Sequence, residues 1–165
     1  MNRPPHILLV EAPYYTHIAD HLRKGAERAM AAAGATHEVI SVPGAFEIPA
    51  AIGMVARTSD RFDGFVALGC VIRGETTHYD HICAESARGL QDLAVRHGLA
   101  IGYGILTVEN EAQALARASA EHRDKGGEAV RACLALVDLK RRLAREENGD
   151  TDRAAAARRS AAETA

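Results

Sequence analysis

The chain has 165 residues, a formal net charge of −2, 47% hydrophobic residues, 4% aromatic residues and no Trp. That length suits one domain of ~150 residues with a core of its own. The balanced charge excludes a nucleic-acid binder that works through a basic stripe. With so few aromatics, Ala, Val, Ile and Leu must build the core, which favours helices packed on a sheet. In chain order, the first apolar run is His6–Glu11, a short buried strand that stops at Ala12-Pro13. Ile18, Leu22, Ala26, Ala29 and Met30 then recur at helical spacing from Tyr15 to Ala33, and Gly34 suits a left-handed cap. A second strand, Thr36–Val42, ends at Pro43-Gly44, and a helix spans about Phe46 to Arg57 with Pro49 in its first turn. The third strand, Gly64–Val71, is nearly all apolar, as a central parallel strand covered on both faces should be. A polar loop, Ile72–Thr77, leads to a helix from about His78 to His97 that Gly98 closes. Strand four is Ala100–Leu106, followed by helices from about Asn110 to Ser119 and Lys125 to Arg145.

The alternation predicts an α/β fold, a three-layer sandwich with a flavodoxin-like four-stranded parallel sheet in the order 2-1-3-4 and helices on both faces. Residues 1–145 form the single domain. Residues 146–165 carry no Leu, Ile, Val, Phe or Met and five acids against three Arg, so they are expected to be a disordered or loosely helical tail. No apolar run approaches the ~20 residues of a membrane span. The start, MNRPPHILLVEAP, does not read as a secretory signal. Three cysteines at irregular spacing, Cys70, Cys83 and Cys133, suit reduced thiols in the cytoplasm.

Ligands of open parallel sheets bind beyond the carboxyl ends of the strands. The segment Arg73–His78 emerges there and opens a helix. Gly74 permits close approach to a ligand, and the N–H groups around Glu75, Thr76 and Thr77 make an anion site with His78 beside it. A plainer reading has Thr77 and Asp80 capping the helix. His78 and His81 form an H-x-x-H pair, but a metal site needs a third ligand, and His81 is expected to face helix or solvent. Glu47, after the Pro43-Gly44 turn, either complements a helix dipole or accepts hydrogen bonds from a polyol or amine. Tyr14 offers either core packing or a ring face to a planar ligand. Arg117 and Lys125 bracket the charged segment ASAEHRD, which reads on its own as solvated surface.

Taken together, VPGAFEIP (Val42–Pro49), ALGCVIRGETTHYD (Ala67–Asp80), YGILTVEN (Tyr103–Asn110) and Arg117 followed by Asp124-Lys125-Gly126-Gly127 resemble the lumazine synthase family from about His6 to Arg145. The resemblance implies a transferase of riboflavin biosynthesis. A ribitylaminouracil condenses with 3,4-dihydroxy-2-butanone 4-phosphate to 6,7-dimethyl-8-ribityllumazine, without metal or redox cofactor. It also implies the residue roles. Tyr14 stacks on the pyrimidine, and Ala45, Phe46 and Glu47 bind the ribityl chain. Val71 and Ile72 give backbone contacts to the heterocycle. Gly74, Glu75 and Thr76 form the phosphate loop, and His78 transfers protons. From a neighbouring subunit of a homopentamer, Tyr103 supplies an aromatic wall, Arg117 the phosphate partner and Lys125 a polar contact near the ribityl chain.

Three departures from the family pattern stand out. Tyr14 replaces the usual Phe or Trp, Ala116 stands where many members carry an acid, and Ser119–Asp124 lacks the glycine-rich linker of sixty-subunit capsids. The last favours a pentamer, with the capsid as the alternative. Two other classes compete: a non-catalytic flavin- or lumazine-binding paralogue, which could dispense with Arg117 and His78, and a hydrolase using His78 and His81.

Overall fold

HILLVE and GFVALGCVI become neighbouring parallel strands because their side chains are apolar on both faces. In a computed structural model that describes residues 3–163, and side chains through Glu147, they form β1 (His6–Glu11) and β3 (Gly64–Ile72). β2 (Thr36–Ser41) pairs with the free edge of β1 from His6↔Thr36 to Glu11↔Ser41, and β4 (Ile101–Val108) pairs with β3 from Phe65↔Ile101 onward. All pairs are parallel and the sheet order is β2-β1-β3-β4, as the sequence predicts.

The alternation of side chains along β1 separates two cores. Ile7 and Leu9 belong to one core with Ile18, Leu22 and Met30 of α1 (Thr16–Ala32), Ala114 of α4 (Glu111–Ala118), and Val130 and Cys133 of α5 (Lys125–Glu163). Leu8 and Val10 point the other way, against Ile48 and Ile52 of α2 (Ile48–Thr58) and Leu90 of α3 (His78–His97). These strand residues are wholly buried, and each such aliphatic side chain contributes roughly 1.5–3 kcal/mol. The helices therefore divide into an α1/α4/α5 layer and an α2/α3 layer.

Close backbone approaches set the spacing of the layers. A Cβ on Gly102 of β4 would run into the Ala129 carbonyl of α5, so the edge strand meets that helix backbone to backbone. In the other layer, a Cβ on Gly89 of α3 would lie 2.9 Å from Pro49 Cβ of α2. Gly34 and Gly98 end α1 and α3 with φ of +65° and +60°, the left-handed caps expected of them.

Three local features differ from the sequence expectation. The chain enters α2 through a short 3-10 turn, Ala45–Glu47, which places Pro49 at the helix start, where no hydrogen bond is lost. β4 runs two residues further, to Val108. α5 does not stop at Arg145 but continues as helix to Glu163. Of the disordered or loosely helical tail expected over 146–165, the backbone through Glu163 belongs to this helix, and residues 164–165 lie outside the described residues. One charged group is buried unannounced by any motif. Glu11 is 1% exposed; its carboxylate takes a two-pronged ion pair from Arg23 and a hydrogen bond from Ser41 Oγ at 2.9 Å, which satisfies a charge that burial would otherwise disfavour. Among the described residues, no helix is long and apolar enough to cross a membrane.

Candidate functional site

A parallel sheet wound 2-1-3-4 reverses its direction of winding between β1 and β3, and a crevice opens there beyond the strand ends. The cleft found at that point has a volume of about 720 Å³. Three connections supply its walls. Tyr14 and Tyr15 follow β1, Pro43 to Glu47 follow β2, and Cys70 to Ile72 end β3. His78, His81 and Ile82 come from the first turns of α3.

Two aromatic rings stand at the rim. Tyr14 is 74% exposed and held edge-to-face against Tyr15, with centroids 5.0 Å apart at 73°. Phe46 is 53% exposed on the 3-10 turn. Two exposed rings offer faces on which a planar ligand can stack. Ala45 beside Phe46 is buried against Gly69, so the turn is anchored while its ring stays outside. The Glu47 carboxylate folds over Gly44, where a Cβ would lie 3.0 Å from Oε2, and makes no hydrogen bond among the described residues. The imidazoles of His78 and His81 are likewise free of hydrogen-bond partners among the described residues. The cleft thus combines ring faces, an unused carboxylate and two unused imidazoles.

The loop between β3 and α3 is pinned at one end. Arg73 pairs with Asp80 at 3.1 Å and Glu109 at 3.0 Å, and its guanidinium lies 4.1 Å above the Tyr79 ring. The hydrogen bonds it donates to these two carboxylates, Asp80 first, push its pKa above the ordinary guanidinium value. This corrects the capping reading. Asp80 is engaged by Arg73, and Thr77 makes no side-chain cap. On the turn, Thr76 Oγ1 accepts from His78 N at 3.3 Å. Gly74, Glu75 and Thr76 stand exposed beside the cleft, and a Cβ at Gly74 would meet nothing within 4 Å. An open loop at a helix N-terminus can receive an anion.

Of the residues singled out in the sequence, Tyr14, Ala45, Phe46, Glu47, Val71, Ile72 and His78 meet in this cleft. Tyr103, Arg117 and Lys125 do not. Tyr103 lies on the edge strand β4, 44% exposed, and burial against α3 raises its phenol pKa. Arg117 is at the end of α4 and Lys125 at the start of α5, in the layer across the sheet from α2 and α3. Arg117 Nη1 donates to the Gln113 carbonyl at 3.0 Å and meets no carboxylate among the described residues, whereas Lys125 pairs with Glu128 at 2.6 Å.

Sequence reasoning missed Tyr15, Cys70 and Ile82 on the cleft wall and set His81 aside. His81 lines the cleft, and its three-residue spacing from His78 was the available signal. Burial, with Cys83 nearby, pushes the Cys70 thiol up to about 12, so it lines the wall as a neutral group. Among the described residues, no three His, Cys, Asp or Glu side chains converge to hold a metal ion.

Fold and site together define a flavodoxin-like α/β protein with a small-molecule cleft at the carboxyl edge of its sheet. Residues 4–141 match the family model described as 6,7-dimethyl-8-ribityllumazine synthase. The chain is 55% identical over 149 residues to 6,7-dimethyl-8-ribityllumazine synthase 1 of Rhizobium meliloti (strain 1021), covering 88% of this chain and 97% of that one. It is 55% identical to the enzyme of that name from Agrobacterium fabrum, covering 84% and 97% of the two chains, and 56% identical to that of Sphingopyxis alaskensis, covering 82% and 94%. The chain belongs to the 6,7-dimethyl-8-ribityllumazine synthase family.

Proposed function

We propose that the chain condenses 5-amino-6-(D-ribitylamino)uracil with 3,4-dihydroxy-2-butanone 4-phosphate to 6,7-dimethyl-8-ribityllumazine, the penultimate step of riboflavin biosynthesis, as its family membership indicates. The observation that carries the reading at the level of residues is the meeting of exposed rings, Glu47 and His78 in one cleft. Tyr14 stacks on the pyrimidine. Glu47 accepts from ribityl hydroxyls, with Ala45 and Phe46 shaping the turn, and the backbone of Val71 and Ile72 reads the heterocycle edge. Gly74, Glu75 and Thr76 receive the phosphate of the second substrate.

The uracil 5-amino group is the nucleophile, so the protein need not supply one. Its nitrogen adds to the ketone carbon, and loss of water gives an imine. Loss of the proton from the adjacent hydroxyl-bearing carbon expels phosphate as its C–O bond breaks; the resulting enol becomes a ketone, to which the second nitrogen adds, closing the ring with release of water. His78 moves the protons of these steps near neutral pH. Holding two substrates together supplies much of the acceleration.

Arg117, Lys125 and Tyr103 complete the site from an adjacent protomer. Their absence from the cleft of their own chain supports that arrangement, which requires a homo-oligomer. A cyclic pentamer, or a multiple of pentamers, closes such head-to-tail contacts. The cytoplasm, where both substrates are small phosphorylated or polyol metabolites, is its place of action. The test is to mix purified protein with both substrates and follow lumazine absorbance. No absorbance with either order of addition would overturn the reading.

A further inference from the structure

The segment between Arg117 and Lys125 forms neither helix nor strand over Ser119–Asp124, yet it is tightly closed. His122 N and Asp124 N both donate to the Ser119 carbonyl, at 3.1 and 3.0 Å. Asp124 is the one non-glycine with positive φ among the described residues, at 44°. Such a conformation is disfavoured for most side chains and best tolerated by Asp and Asn.

The Asp124 side chain is only 15% exposed, and its carboxylate faces two elements, α5 and α1. Oδ1 accepts from Gly127 N at 3.2 Å in the first turn of α5. Oδ2 lies 3.2 Å from Arg131 of α5 and 3.9 Å from Arg28 of α1. Arg28 also donates to the Ala120 carbonyl at 2.9 Å, which ties the loop itself to α1. Three glycines make this possible. A Cβ at Gly25 or Gly127 would run into the carboxylate, and one at Gly126 would run into the Leu22 carbonyl of α1. Both guanidinium groups that face Asp124 are paired with it, so the arrangement holds geometry rather than a ligand.

What it holds is the spacing between Arg117, at the end of α4, and Lys125, the residue that follows Asp124. The geometry points to Asp124 as a positioning residue that presents Arg117 and Lys125 as one rigid unit to the cleft of the neighbouring protomer. This rests on the shared-site reading above. A displaced cation weakens binding of the groups it contacts, phosphate first, and leaves the proton chemistry at His78 intact.

The experiment compares Asp124→Gly, which accepts positive φ but removes the carboxylate, with Asp124→Asn, which keeps both the cap oxygen and the tolerance of that backbone. The assembled proteins are assayed for kcat, its pH profile and KM for each substrate. Asp124→Gly is expected to raise KM for the phosphorylated substrate about tenfold and KM for the uracil by less, with kcat and its pH profile unchanged, while Asp124→Asn recovers most of the loss. A purely structural role would instead lower kcat in proportion to the folded fraction and leave both KM values alone; that outcome, or no change at all, overturns the inference. If Asp124→Gly does not assemble, Arg28→Met removes the tie to Ala120 while leaving the cap, and the same KM shift is expected. Arg117→Ala and Lys125→Ala separate the two levels. Normal kinetics in both would overturn the shared-site reading itself. A raised KM in Arg117→Ala beside normal kinetics in Asp124→Gly and Arg28→Met would overturn the positioning role alone.

Discussion

His78 and Cys70 line the same cleft, and their environments assign them opposite duties. The His78 side chain is exposed and free of hydrogen bonds among the described residues, so it is open to exchange protons with a substrate. His78→Ala should lower kcat by about 10²-fold while leaving the affinity of a non-reacting substrate analogue close to normal, because positioning survives the loss of an acid–base group. Stopped-flow turnover beside calorimetric binding checks both halves. Unchanged kcat across neutral pH would leave His78 no role beyond the start of α3. The Cys70 and Cys133 thiols are each pushed up to about 12, by burial first. Below about pH 9 these thiols are neutral in folded and unfolded chains alike. Above it the unfolded chain ionises first, so stability falls as pH climbs from about 9 towards 12. Denaturant titrations of the parent and Cys133→Ala should show a shallower alkaline loss in the variant.

At the scale of elements, the glycines divide into those that pack and those that open space. Gly102 brings β4 against the α5 backbone, whereas nothing lies near a Cβ built on Gly74. Gly102→Ala should therefore cost about 1–3 kcal/mol through overpacking. Gly74→Ala should stay within about 0.5 kcal/mol of the parent. Kinetics reverse the order, since a methyl group at Gly74 narrows the loop proposed for phosphate and raises KM for the phosphorylated substrate. Paired melting curves and KM measurements test the contrast; a destabilised Gly74→Ala would refute the open-loop description. The same scale explains which elements were legible beforehand. The apolar run of β3 and the glycine caps after α1 and α3 are local signals, and they fell where expected. The Thr77/Asp80 cap was equally plausible locally and did not form, because Arg73 and Glu109, 36 residues apart, meet beside Asp80.

Across the whole molecule, the cleft holds half of the proposed machinery. His78 lines the cleft from α3, whereas Arg117 stands at the end of α4 in the other layer and does not line it. Two inactive variants should then rescue one another. Mixing dissociated His78→Ala and Arg117→Ala subunits and reassembling them should restore part of the activity, since some interfaces would pair an intact His78 with an intact Arg117. Proven subunit mixing without recovery would refute the shared site.

Strand order, the two helical layers and the gathering of the strand-end loops at one edge followed from local pattern. Apolar runs covered on both faces admit few sheet arrangements, and parallel connections deliver their loops to one edge. Other features were decided only by packing. Whether His81 faces the cleft depends on the rotation of α3, which Gly89 against Pro49 helps to set. The burial of Glu11 depends on Arg23 reaching it from α1 and Ser41 from β2. The separation of Arg117 and Lys125 from His78 depends on which face of the sheet each helix covers. Residue order along a chain carries periodicity and turn chemistry, but the direction of a side chain about a helix axis is fixed by the neighbours that bury the opposite face.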